Sequence, residues 1–414
     1  MTVVPQDQKA HLNDLLSKLV MMLHSRLQSL GRRRTLVFAV LSVLAIVSFL
    51  AVSKLVKRYS EQERALARHM YAQGQADQQT GRPDLALEDY RAALLYDRDN
   101  SQYQLSLARA LRDSGRTEEA ETYLLKLWEA NPQDGAVNLA LGRLYARRGS
   151  IENALHYYHN AIYGTWPGNA DKVRNDAEFE LVEFLLKANA APQAQAELIS
   201  FAAARPADTA IQLRIANLFM QAQDYEHALV RFREVLSQDP RNALAAAGAG
   251  EAAFALGRYR HAESYLRIAA ILNPQDEQIR ELLQTTGMML ESDPFMRGIS
   301  DAERTRRIRA AYTQAGSRLD SCAKQQGIDL QQASASPAPA SDLVSLHNRW
   351  IDIKPKMKNP AVAAVEEENG NSVISLVGSI EQETATLCGP PTGMDKVLLL
   401  ISQEPASSDT GADK

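Results

Sequence analysis

The pattern of apolar and polar positions changes character twice along this chain. Near the start it is unbroken. From Thr35 to Ser53 the residues read TLVFAVLSVLAIVSFLAVS, 19 positions without a charge. As a helix that run spans roughly 28 Å, about the thickness of a hydrocarbon core. A helix on a soluble protein would keep one polar face. This run has none, so it predicts a transmembrane helix over 35–53. Arg32, Arg33 and Arg34 precede it and Lys54, Lys57 and Arg58 follow, placed to reach the headgroups. It exceeds the apolar stretch of roughly 7–15 residues of a signal peptide, which points to an uncleaved anchor. Residues 1–34 carry Leu12, Leu15, Leu16, Leu19 and Leu23 at helical spacing, with Lys9, Lys18 and Arg26 between. That predicts an amphipathic segment lying on the bilayer surface. Residues 54–66 read as a connecting helix.

Beyond residue 66 the pattern becomes periodic. Ala86, Ala120 and Ala154 stand 34 residues apart, and so do Ala194, Ala228 and Ala262. Four residues after each alanine comes a large side chain: Tyr90, Leu124, Tyr158, Leu198, Phe232 and Leu266. Gly81, Gly115, Gly149 and Gly257 precede four of the alanines; Pro132, Pro206, Pro240 and Pro274 close four of the units. The small residue lets one helix approach another, and the large one fills the space beside it. The glycine supplies the positive φ between the helices, and the proline ends the second.

This pattern resembles the tetratricopeptide repeat family. The last third of its motif stands in YEHALVRFREVLSQDP (Tyr225 to Pro240) and its first third in NLALGRLYARRG (Asn138 to Gly149). The resemblance covers 67–274 as six units, with an insertion near 163–174. The family's initial Trp is missing, Arg98 replaces the first closing Pro, and Asn189 replaces the fourth turn Gly. The fold class implied is all-α: a solenoid of about six helix–turn–helix repeats, with one N-terminal transmembrane helix and a C-terminal helical domain. One unit cannot bury its own apolar face, so neighbours stack around a concave surface.

After the repeats the periodicity ends. Residues 275–291 read as a capping helix, and 295–402 as the C-terminal helical domain. Ser300 and Glu303 form a capping box for a helix reaching about Lys324. Its arginines, Arg304, Arg306, Arg307 and Arg309, read as a solvated face, with a docking patch as the alternative. A linker is expected over 331–341, a helix over 342–353 with Trp350 on its apolar side, and a segment over 361–387 broken near Asn369–Asn371. Residues 403–414 read as a disordered tail.

Charge and composition narrow the function. Lys and Arg total 46 against 50 Asp and Glu, a net −4, which argues against nucleic acid as partner. There is no phosphate loop, nucleophile elbow or zinc-hydrolase helix, so no enzyme, cofactor or catalytic residue is assigned. His156 and His159 have metal-compatible spacing without a third ligand, so no metal is assigned. Cys322 and Cys388 are the two cysteines of the chain. They lie near helix ends, either bridged or held as two buried thiols.

The resemblance implies a groove lined by the first helix of each unit. In that register it offers Arg109, Arg112, Leu139, Arg143, Arg147, Phe179, Asn217 and Met220. The early part is basic and the later part apolar. The leading reading is a membrane-anchored scaffold holding a protein or peptide partner in that groove. The lipid bilayer is its second partner, through 35–53. The Arg32–Arg34 run favours a cytoplasmic N-terminus. That makes it a single-pass inner-membrane protein with its larger part in the periplasm, serving envelope-protein assembly, secretion or cytochrome maturation. A cytoplasmic-facing adaptor and a non-catalytic regulatory subunit of an envelope enzyme are the alternatives.

Overall fold

The computed structural model describes residues 17–19, 21–22, 32–204, 208–331, 342–358 and 367–403. Most of the amphipathic 1–34 segment, most of the 331–341 linker and all but the first residue of the 403–414 tail lie outside them. The regular elements among the described residues are all helices; one isolated bridge pairs Asp134 with Thr165. Helix α1 runs from Arg32 to Gln79. It joins the predicted span, the connecting helix and the first helix of the first repeat without a break. From Val40 onward its apolar part is exposed, Val40, Val43, Leu44, Val47, Phe49 and Leu50 included. A helix of membrane-spanning character is therefore present.

The repeat helices follow in pairs: α2 (Pro83–Tyr96), α3 (Ser101–Asp113), α4 (Thr117–Ala130), α5 (Gly135–Arg147), α6 (Ile151–Ile162), α7 (Asp171–Lys187), α8 (Ala191–Ala204), α9 (Thr209–Gln221), α10 (Tyr225–Gln238), α11 (Ala243–Ala255) and α12 (Tyr259–Leu272). The six repeat alanines are each 0% exposed. Ala-to-large alternation is thus the seam between helices. Where Gly250 faces Leu266, an added Cβ would come within 2.6 Å of that side chain. The turn glycines adopt positive φ, and where glycine is missing Asn189 and Gln223 take the same conformation.

A second 34-residue return sets where the first helices begin. Asn100, Asp134, Asp208, Asn242 and Asp276 each accept hydrogen bonds from backbone N–H groups of the turn they precede. Each such cap contributes about 1 kcal/mol.

By packing, the chain divides at Ala177/Glu178, within α7. In the first unit, the insertion folds back on α5. Thr165 exchanges backbone bonds with Gln133 and Gly135, and Trp166 Nε1 donates to Ala161 O at 2.8 Å. In the second unit the repeats continue into α13 (Glu277–Ser292), α14 (Asp301–Gln325), α15 (Asp342–Lys358), α16 (Glu367–Cys388) and α17 (Met394–Gln403). Tyr259 and Met289 share one core with Leu319, Leu343, Val377, Ile380, Val397 and Ile401. The C-terminal helices therefore cover the open end of the last repeat rather than standing apart from it.

Three local expectations change. Helix α16 passes through Asn369–Asn371 unbroken, and α15 continues past Pro355 to Lys358. The arginines of α14 are not all a solvated face: Arg306 stays exposed, whereas Arg307 donates to Leu290 O and Asp293 O, and Arg304 to Pro294 O. These two tie α14 to the end of α13, whose last carbonyls have no partner within their own helix.

Candidate binding groove

The residues expected to line the groove fall into three groups. Leu139 and Phe179 are 3% and 4% exposed, and both belong to the packing between helices. Phe179 is covered edge-on by Phe201 at 4.7 Å and by the Arg214 guanidinium at 3.8 Å. Arg214 in turn pairs with Glu183 at 2.7 Å, so this surface is presented by a residue the register passed over. Asn217 is exposed and Met220 half-buried.

The arginines of the first unit behave differently. They stand on α3 and α5 in one repeat register, and Arg143 and Arg112 both act electrostatically on Arg109. Arg112 Nε and Nη2 bind Asp113 Oδ1 at 2.9 and 2.7 Å, while its Nη1 is buried without a partner. Arg147 donates to the Arg112 carbonyl. Arg109 makes one long bond, Nη2 to Ala136 O at 3.4 Å, and its buried Nε has no partner. Burial first, then Arg143 and Arg112, hold its pKa below the ordinary arginine value. Among the described residues no carboxylate pairs with it. Nearby Asp134 is committed to capping α5.

Arg109 lines a cavity of about 320 Å³ with Tyr71, Gln75, Gln78, Gln79, Tyr90 and Ser106. The Tyr71 hydroxyl bonds Ser106 Oγ at 3.2 Å and accepts from Gln75 and Gln102. Its ring packs against Tyr103 and Tyr90, at 4.5 and 5.6 Å between centroids. Tyr90 donates to Gln78 Oε1 at 2.8 Å. The polar wall thus satisfies itself, and the unspent hydrogen-bonding capacity is that of the guanidinium. The signal for these residues was in the sequence: Gln75 stands 34 residues before Arg109 and Tyr71 stands 34 before Leu105. The register extends one unit earlier than the groove residues named from it.

Cys322 and Cys388, at the ends of α14 and α16, are joined, with Cα atoms 5.7 Å apart. No cluster of three potential metal ligands occurs among the described residues. His156 meets Asn160 and the Tyr157 ring.

Family models of the tetratricopeptide repeat match residues 71–135, 105–170 and 219–285. The chain carries tetratricopeptide repeats. It is 26% identical over 164 residues to the putative cellulose synthase operon protein C of Escherichia coli O157:H7, a match covering 39% of this chain and 14% of that protein. Similar solved structures include a tetratricopeptide repeat protein from Parabacteroides merdae (15% identity, TM-score 0.35, 54% of this chain and 99% of that one). PilF of Pseudomonas aeruginosa is another (16% identity, TM-score 0.36, 53% and 97%). A third is YrrB, described as having an unusual peptide-binding site (18% identity, TM-score 0.34, 46% and 94%).

Proposed function

We propose that this tetratricopeptide protein is a membrane-anchored scaffold whose first repeats hold an acidic, extended segment of a protein partner. The observation that carries the reading is Arg109: a largely buried guanidinium beside two others, facing a cavity, with no carboxylate of its own. Keeping such a charge from water is costly without a counterion. A carboxylate entering the cavity would supply one, through a charge-assisted bond of the stronger kind. Arg112, Arg143 and Arg147 extend the same positive strip along neighbouring first helices. The bilayer is its second attachment, through 35–53 of α1. The Arg32–Arg34 run favours placing the repeats on the periplasmic side of an inner membrane. Envelope-protein assembly, secretion or cytochrome maturation would use such a scaffold.

The test uses the full chain in detergent micelles with a fluorescent oligoglutamate peptide, and a neutral peptide of equal length as control. The parent should bind the acidic peptide and release it as salt rises. The double reversal Arg109→Glu with Arg143→Glu should lose that binding while keeping its helicity. Equal binding by parent and double reversal would reduce the strip to a surface charge.

A further inference from the structure

The second unit holds a carboxyl group that the groove does not use. Glu381, on α16, is 0% exposed, and neither of its oxygens has a hydrogen-bond partner among the described residues. Its neighbour is Arg318 of α14, whose Nε lies 2.9 Å from Glu381 Oε2. That proximity is not a hydrogen bond, because the single Nε–H is directed at Thr384 Oγ1, 2.8 Å away. The rest of the guanidinium is also committed: Nη1 donates to Asp395 Oδ2 at 3.1 Å and Nη2 to Gly389 O at 3.0 Å. Two carboxyl groups therefore attend one cation, and Asp395 of α17 has the better claim. Gln314 of α14 secures it further, donating to Asp395 Oδ1 at 2.8 Å.

Asp395 is also where the bundle holds α17. The neighbouring Lys396 pairs with Glu281 of the capping helix α13 at 2.9 Å, and Met394 Sδ accepts the Ser292 hydroxyl at 3.4 Å. Helix α17 is thus seated between the arginine junction and the end of the repeats.

We propose that Glu381 is a proton-operated latch: protonated, it leaves Arg318 to Asp395 and α17 seats tightly on α13; ionised, it competes for Arg318 and α17 loosens. With the proton on, the junction holds one cation and one anion. With the proton off, it holds two anions against one cation, the Glu381 charge being wholly out of water, and the excess charge is relieved by opening. The charged groups facing Glu381 are Arg318 from α14 and Asp395 from α17. Helix α15, which also packs on α16, directs its buried titratable group, His347, to Trp350. Burial, then the Asp395 charge, push the Glu381 pKa up from 4.5 to about 8, against the pull of Arg318.

The sign follows from linkage. The closed form keeps a proton that the open form has released, over the interval from about 4.5 to about 8. Within it, opening becomes up to about tenfold more favourable per pH unit, and above it the effect levels off. The latch is tight in acid and loosens toward neutrality.

Hydrogen–deuterium exchange of α17 in the full chain, from pH 5 to 8 and corrected for intrinsic exchange, tests this. Protection in the parent should fall by up to about tenfold per pH unit. Glu381→Gln, which keeps the neutral shape, should show flat protection and exceed the parent at pH 8. Asp395→Asn should shrink the slope from its alkaline end, because Glu381 then ionises beside an uncontested Arg318. Parallel slopes in parent and Glu381→Gln, or an unchanged slope in Asp395→Asn, would overturn the latch.

Discussion

Two arginines carry charge into the interior of this chain, and they are provisioned in opposite ways. Arg109, in the first unit, has no acid of its own and faces a cavity. Arg318, in the second, has two carboxyl groups, a hydroxyl and a carbonyl around it, and all three of its nitrogens are engaged. A side chain surrounded by partners from its own chain organises that chain. A buried cation left short of partners is poised for something from outside. The contrast separates a saturated junction from a cation with hydrogen-bonding capacity to spare, although the residue type is the same.

The largest effect should come from breaking the better-provided arginine. Arg318→Met removes the cation and leaves half-buried Asp395 beside fully buried Glu381. Stranding buried charge in this way costs about 3–5 kcal/mol. The bundle α14–α17 should melt well below the parent in circular dichroism or calorimetry, taking the cover off the last repeat. A change under about 1 kcal/mol, the range of exposed pairs, would show that the junction is peripheral and that the two arginines do not differ as described.

The bridge beside that junction comes next. Cys322–Cys388 closes a loop with a sequence separation of 66 that includes the 331–341 stretch. Chain entropy allows up to about 4 kcal/mol for such a loop, less any strain. Replacing both cysteines with serine should lower the bundle's melting midpoint without affecting acidic-peptide binding in the first unit. Thiol labelling of acid-quenched intact cells should find both cysteines unreactive until reduced. Disulfides persist in oxidising compartments. Two free thiols before reduction would remove this support for placing the repeats outside the cytoplasm.

A third effect concerns the part of the chain that was readable. Ala228→Leu or Ala262→Leu should overpack the helix seam and cost about 1–3 kcal/mol. Parent-like melting of both variants would mean that the 34-residue register is misplaced. The repeats were legible because each unit meets the same packing problem, so its solution returns at a fixed interval. The cap column of Asn100, Asp134, Asp208, Asn242 and Asp276 obeys that interval too and could have been read with it. The C-terminal bundle solves its packing once. Nothing in the sequence pairs Arg318 with Glu381 and Asp395, 63 and 77 positions away. Asn369–Asn371 looks like a break because glycine and asparagine have poor helix propensity, yet α16 continues through it. The arginines named from the register stand on the first helices α3 and α5. The register could not tell that Leu139 and Phe179 point into the seam, because exposure at a repeat position depends on what the neighbouring unit presents.

The smallest effect on stability should carry the largest effect on function. Arg109→Met keeps much of the side chain's volume and apolar stem while removing a charge that forms no ion pair among the described residues. Truncating one member of a satisfied pair strands its partner, as at Arg318. Removing an unpaired charge strands nothing. The variant should therefore fold with unchanged or slightly higher stability, through relief of desolvation and of repulsion from Arg112 and Arg143. Its affinity for oligoglutamate should fall, with a shallower salt dependence than the parent. Lysine at the same position separates charge from geometry: it restores the cation but not the planar fork, so recovery should be partial. Comparing melting and peptide binding for Arg109→Met and Arg318→Met in one set of experiments sets the two arginines side by side. Loss of stability in both would make Arg109 a structural residue after all. Loss of binding without loss of stability, at Arg109 alone, would assign the first unit its ligand.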